Sequence, residues 1–209
     1  MTTKNPFHKP RGVGRSSFSL LDHDKLFETL PLQKGSTFVD LACGPGDYTL
    51  AASRIVGDEG LVYGVDIWEE TIADLFENVK AQGIKNVRGI VANVGYRLPI
   101  ESGSADVCLI ATVLHDLVQE QVDRNALGEA ARILKSMGTL AVVEFKKEES
   151  PVGPPISIRL SLEEVESLVL SHGFSRQAFK ELGLYHYLVT FALIRNDAAN
   201  PSFERKSGR

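Results

Sequence analysis

A carboxylate stands at the end of each of two strand-like runs in this chain, and a glycine turn lies between them. The first run is Phe38-Val-Asp-Leu-Ala-Cys-Gly-Pro-Gly-Asp47, with Asp40 ahead of Gly44 and Gly46, and the second is Val62-Tyr-Gly-Val-Asp66. Glycines there let the backbone bend sharply and approach a ligand with no Cβ in the way. A pyrophosphate in that turn would face the ionised Asp40 and be repelled by it. S-adenosylmethionine brings an ammonium and a sulfonium and no phosphate, so the same charge becomes attractive. Asp66 follows the turn by about 20 residues, the distance at which the second strand of a βαβ unit delivers an acidic side chain to a ribose diol. Thr49 occupies the third glycine position of GxGxxG, so the dinucleotide pattern is incomplete. The competing role for both aspartates is helix capping: Asp40 for the helix after the turn, Asp66 for one that begins near Glu69.

Three further residues have a side chain able to take a proton at a strand end. Ala111 and Thr112 close the apolar run Ala105 to Ala111 with His115 just beyond, Glu144 closes Thr139 to Phe145, and His186 begins the final strand between Tyr185 and Tyr187. Open α/β sheets bind ligands at the carboxyl ends of their strands. A general base there contributes about 10² to 10⁴ in rate when the acceptor holds its proton, and the sequence does not choose among His115, Glu144 and His186. A packed or solvent-facing residue before a helix is an equal reading of His115. Asp116 reads as a helix-start residue, Asp106 as structural at the opposite strand end, and Lys146 and Lys147 as a solvated charge pair.

The elements that carry these residues follow a βαβ rhythm. Strands are expected at Thr37 to Leu41, Leu61 to Asp66, Val87 to Val91, Ala105 to Ala111 and Thr139 to Phe145, the last two central and parallel because they are almost continuously apolar. A short helix at Asp24 to Leu30 stops at Pro31, another buries Ile72, Leu75, Phe76 and Val79, and a third runs from about Gln119 to Leu134. Ser161 and Glu164 form a capping box for a helix that Gly173 ends. Phe174 to Leu182 and Tyr185 to Arg195 are separated only by Gly183 and Leu184, too little for a parallel crossover, so they form an antiparallel hairpin. Residues 1–23 read as an N-terminal arm in which Lys4, His8, Lys9, Arg11 and Arg15 lie among Pro, Gly and Ser. Phe7, His8 and Phe18 make that arm a candidate lid over the cofactor, and residues 196–209 read as a polar tail.

With 209 residues and 43% hydrophobic content, the chain can bury one sizeable core, residues 24–195. Its net charge of −4 disfavours a nucleic-acid partner. Two cysteines, Cys43 and Cys108, supply neither a disulfide framework nor a metal site, and no metal is expected. No signal peptide or bilayer-length apolar run is evident, which suits a cytoplasmic protein. A homodimer is left open.

On VDLACGPG, the strand end GVDIW and the closing hairpin, the chain resembles the class I S-adenosylmethionine-dependent methyltransferases from about Asp24 to Arg195. The run Ala105-Asp-Val-Cys-Leu-Ile-Ala-Thr-Val-Leu-His-Asp116 and the helix end Arg132-Ile-Leu-Lys-Ser-Met-Gly138 make it most similar to the ubiquinone/menaquinone C-methyltransferase branch. The resemblance implies an α/β, Rossmann-like fold, a seven-stranded mostly parallel sheet with an antiparallel last strand and helices on both faces. It places Asp40, Ala42, Gly44 and Gly46 around the methionine part of S-adenosylmethionine, Asp66 and Ile67 at the ribose, and Asn93 at the adenine amino group, although Asn93 stands one residue further from Pro99 than is usual. Cys43, Val94, Ala111 and Thr112 complete the candidate cofactor set. The implied activity is in-line methyl transfer to a small-molecule acceptor, leaving S-adenosylhomocysteine. An amino-base nucleic-acid methyltransferase would carry Asn/Asp-Pro-Pro-aromatic where this chain reads Ala111-Thr-Val-Leu114. The alternatives are a nicotinamide-dependent Rossmann oxidoreductase and an S-adenosylmethionine-binding protein without turnover.

Overall fold

The computed structural model describes residues 16–194. Lys4, Phe7, His8, Lys9, Arg11, Arg15 and the polar tail lie outside the described residues. A 3-10 turn, Phe18–Leu20, leads to helix α1 (His23–Thr29), which Asp22 caps by accepting from the Lys25 N–H. Strands β1 (Thr37–Leu41), β2 (Leu61–Asp66) and β3 (Val87–Val91) alternate with helices α2 (Asp47–Val56) and α3 (Glu69–Ala81). Next come β4 (Ala105–Ala111), α4 (Leu114–Gln119), α5 (Asp123–Ile133) and β5 (Leu134–Phe145), and the chain closes with α6 (Leu162–Leu170), β6 (Phe174–Glu181) and β7 (His186–Leu193).

The seven strands form one sheet in the order β3-β2-β1-β4-β5-β7-β6. Neighbours from β3 to β5 are parallel, while β7 runs antiparallel to both β5 and β6. Strand alternation separates two cores. Val39, Leu41, Ile110, Val142 and Val189 pack beneath α4, α5 and α6, while Phe38, Leu109, Val143 and Leu188 pack beneath α1, α2 and α3. The seven strands, the antiparallel last strand and the helix-covered faces are those expected.

Three boundaries differ from expectation. The helix expected from about Gln119 to Leu134 begins only at Asp123, as α5, and a separate helix α4 over Leu114–Gln119 precedes it. Gln121 takes a left-handed φ of 58°, the Val122 N–H donates to Leu117 O, and the Gln121 N–H donates to Val118 O. This is a Schellman stop with glutamine where glycine is usual, so no glycine marked it. Strand β5 begins at Leu134 rather than Thr139, across an irregularity in its pairing with Ala105 and Val107. Phe76 is half-exposed rather than part of the α3 core face, lying over Gly89 of β3, while Ile72, Leu75 and Val79 are buried as expected.

Candidate functional site

The carboxyl ends of β1, β4 and β5 and the amino end of the antiparallel β7 meet along one edge of the sheet. At the β1 end, Ala42, Gly44 and Gly46 all take positive φ, and Gly46 stands at the N-terminus of α2. A Cβ on Gly46 would lie 2.5 Å from Leu75 Cδ1, so the close packing of turn on helix demands glycine. Ala42 and Thr112 adopt this conformation without being glycine, a strained arrangement typical of ligand-binding loops.

Asp40 is buried on the α2 face, where one of its oxygens accepts from the Thr49 hydroxyl at 2.7 Å. Burial, with smaller repulsion from Asp66 and Asp47, pushes its pKa up to about 7 against the opposing Thr49 hydrogen bond. Thr49, which spoils the dinucleotide pattern, is thus the partner of the carboxylate. Asp66 accepts from the Gly44 N–H at 2.8 Å and from the Trp68 N–H at 2.9 Å, so it ties the turn to the end of β2. Ile67 is half-buried beside it. The Asn93 side-chain oxygen accepts from the Gly95 N–H, which leaves its amide NH2 for other use, and Val94 turns its side chain into the core.

A cavity of about 30 Å³ lies between Asp40, Ala42, Cys43 and Gly44 on one side and Ala111 and Thr112 on the other. Tyr48 lines it from α2, and Ser16 and Ser17 close it. The Ser17 hydroxyl is 2.8 Å from the Tyr48 hydroxyl and 3.0 Å from that of Thr112. Phe18 packs edge-on to Tyr48, with ring centroids 5.0 Å apart. Neither Ser17 nor Tyr48 was singled out from sequence, because a serine and a tyrosine 31 residues apart carry no spacing signal. Burial pushes the Cys43 thiol well up, and Asp40 and Asp66 add to this, which makes it a poor nucleophile.

The structure joins two of the three base candidates. His115 Nδ1 lies 3.1 and 2.9 Å from the two oxygens of Glu144, whose Oε1 also accepts from the His115 backbone N–H. Glu144 is fully buried and His115 nearly so. Burial alone would push His115 down, but the hydrogen bond and charge of Glu144, helped by Asp116, outweigh it, so the ring is held above its ordinary pKa, with Arg159 opposing. A carboxylate accepts and does not donate, so Nδ1 carries the proton and Nε2, 3.7 Å from Asp116, keeps the lone pair. His186 stands apart, buried against Phe145 at 4.2 Å between ring centroids.

Arg159, which the sequence did not flag, organises the segment after β5. Its guanidinium donates to the carbonyls of Pro154, Lys146, Glu148 and Val152 and lies over the Phe145 ring. Asp106 is structural as expected, accepting from the Thr37 N–H and Lys135 at the far edge of the sheet. Lys146 and Lys147 are ion-paired to Glu181 and Glu164.

Residues 19–160 match the family model described as "ubiE/COQ5 methyltransferase family". The chain belongs to the ubiE/COQ5 methyltransferase family. A demethylmenaquinone methyltransferase of Geobacillus stearothermophilus is 34% identical over 113 residues, 54% of this chain and 47% of that protein. A ubiquinone/menaquinone biosynthesis C-methyltransferase of Erwinia tasmaniensis is 30% identical over 165 residues, 75% of this chain and 59% of that one. The chain thus spans about half to three fifths of the length of these relatives. A crystal structure of a SAM-dependent methyltransferase from Aquifex aeolicus superposes with a TM-score of 0.78 at 29% identity, covering 86% of this chain and 94% of that chain. The ubiE/COQ5 family and this neighbour agree with the resemblance carried by VDLACGPG and with the class I fold. Among the described residues no helix is long and apolar enough to cross a membrane.

Proposed function

We propose that this chain is an S-adenosylmethionine-dependent methyltransferase whose acceptor is a small aromatic quinol. The observation that carries the donor is the pair of carboxylates, Asp40 and Asp66, set on either side of a turn whose backbone is held at positive φ. Two anions at one turn suit a cationic ligand and repel a phosphate, and membership of a methyltransferase family leaves the nicotinamide reading without support.

The residues fit the donor in chemistry, and the cavity fits it only after movement. About 30 Å³ holds one or two waters, so an adenosyl group enters when Ser16 and Ser17 withdraw from Tyr48 and Thr112. The segment before α1 then acts as a lid. Bound S-adenosylmethionine would supply an electrophilic methyl group. The chain's own part is to hold the acceptor, exclude water and take its proton: Glu144 fixes His115 so that Nε2 receives the hydroxyl proton of the acceptor, which raises electron density on its ring. The quinol class follows the relatives, named as demethylmenaquinone and ubiquinone/menaquinone enzymes.

The test is incubation with methyl-labelled S-adenosylmethionine and 1,4-naphthohydroquinone under anaerobic reducing conditions, with product identified by mass spectrometry and S-adenosylhomocysteine affinity measured by calorimetry. A ring-methylated product with tight S-adenosylhomocysteine binding is expected. Binding without product would refute the acceptor class, and absence of binding would refute the donor.

A further inference from the structure

His186 opens β7 opposite Phe145 of β5. By strand alternation it shares the sheet face of Leu188, which packs in the same core as α1 to α3, and lies on the face opposite Glu144. Asp40 and Ala111 are on that same face, so the donor cavity and His186 lie along one edge, with β5 between β4 and β7. Two interstrand spacings, roughly 10 Å, separate them.

The His186 side chain is fully buried, yet among the described residues neither ring nitrogen has a hydrogen-bond partner. The Leu20 main chain, in the 3-10 turn beyond Ser17, approaches the ring without the geometry of a formed hydrogen bond, and its pull opposes the fall in the ring's pKa. An unpaired polar group in the interior is destabilising, and an apolar ring of similar size would avoid that penalty. Burial, reinforced by the charge of Arg159, pushes the His186 pKa down to about 4. At neutral pH the ring is therefore uncharged, with one donor and one acceptor nitrogen. A buried, unpaired donor and acceptor at the ligand-binding edge of the sheet is suited to a ligand's hydroxyl.

We propose that His186 is an acceptor-recognition residue: when the segment Ser16–Leu20 moves off the sheet edge, its imidazole hydrogen-bonds a ring hydroxyl of the aromatic acceptor. This rests on the methyltransferase reading above. It also gives one segment two duties. Ser17 closes the donor cavity through Tyr48 and Thr112, and three residues later Leu20 covers His186, with Asp22 held to the hairpin through the Leu182 carbonyl. Donor and acceptor then enter through one opening.

The test compares the full chain with H186F and H186N, using 1,4-naphthohydroquinone as the probe in calorimetric titrations of protein saturated with S-adenosylhomocysteine. H186F should unfold at the same or a higher temperature, bind S-adenosylhomocysteine as the parent does, and bind the probe about tenfold more weakly, the ratio for one lost hydrogen bond. H186N retains a donor and an acceptor and should recover part of that loss. Equal probe affinity in parent and H186F, including no binding by either, overturns the proposal. So does H186F with early unfolding and lost S-adenosylhomocysteine binding, which would mark a packing role. Failure of the donor reading shows separately, as a parent that does not bind S-adenosylhomocysteine.

Discussion

Replacing Asp40 by asparagine tests the donor site through its protonation. Asp40 is buried, with its pKa raised from 3.8 to about 7, chiefly by burial. A group of that pKa is about 9% ionised at pH 6 and about 76% ionised at pH 7.5. Only the ionised form attracts the ammonium and sulfonium, so affinity for S-adenosylmethionine should rise about eightfold between those values. At pH 6, binding should release about 0.9 proton per ligand. Calorimetry in two buffers of different ionisation enthalpy measures both quantities, and fluorescence of Trp68, the single tryptophan and a neighbour of Asp66, provides an independent titration. The D40N variant should bind more weakly at pH 7.5 and lose the pH dependence. Stability moves in the opposite sense. Between pH 4 and 7 the folded state holds more protons than the unfolded one, so the stability of the parent falls as pH rises through that window. D40N should therefore raise the unfolding temperature more at pH 8 than at pH 5. A parent affinity that stays flat from pH 6 to 7.5, or a D40N variant that keeps the slope, refutes the assignment.

Four further outcomes are expected. His115→Ala should lower kcat by about 10² to 10⁴ with S-adenosylhomocysteine affinity kept. Because Glu144 holds His115 above its ordinary pKa and the base works unprotonated, Glu144→Gln should move the rising limb of the pH profile to lower pH, and an unmoved limb would count against the pair. Tyr48→Phe removes one latch hydrogen bond, worth about 1 kcal/mol, and Ser17→Ala removes both, so stopped-flow association of S-adenosylmethionine should quicken about fivefold in Tyr48→Phe and further in Ser17→Ala, whereas an unchanged rate would rule out Ser17 as the closure. Ser161→Ala removes the α6 capping box and should cost about 1 kcal/mol in denaturant unfolding, with donor affinity unchanged.

The glycine turn between two carboxylates was legible because everything it needs is local. Strand period sets where Asp40 and Asp66 fall, and the glycines between them mark the bend. The hairpin after α6 was legible for the same reason, since Gly183 and Leu184 leave no room for a crossover. The α4–α5 break was not, because its left-handed residue is Gln121, which ordinarily continues a helix. Nor was the latch, since Ser17, Tyr48 and Thr112 meet only after the sheet has formed and the chain has folded back across it.

The His115–Glu144 pair lies between these cases and shows what a sequence reading can be made to yield. Both residues were candidates by strand-end position, but as alternatives, because they stand 29 residues apart. Parallel pairing of β4 and β5 puts Ala111 beside Val143, and the Thr112 N–H donates to the Val143 carbonyl. Once that register is known, Glu144 is one step beyond Val143, and the first turn of α4 brings His115 back over the same strand end. Proximity then changes the chemistry of each. Glu144, a candidate base when considered alone, becomes the group that fixes the proton on Nδ1, and His115 is left with Nε2 as its free lone pair. His186 lacks such a carboxylate, and burial keeps it neutral. Three interchangeable candidates on paper thus become a hydrogen-bonded pair, His115 with the carboxylate that orients it, and an uncharged ring with no hydrogen-bond partner among the described residues.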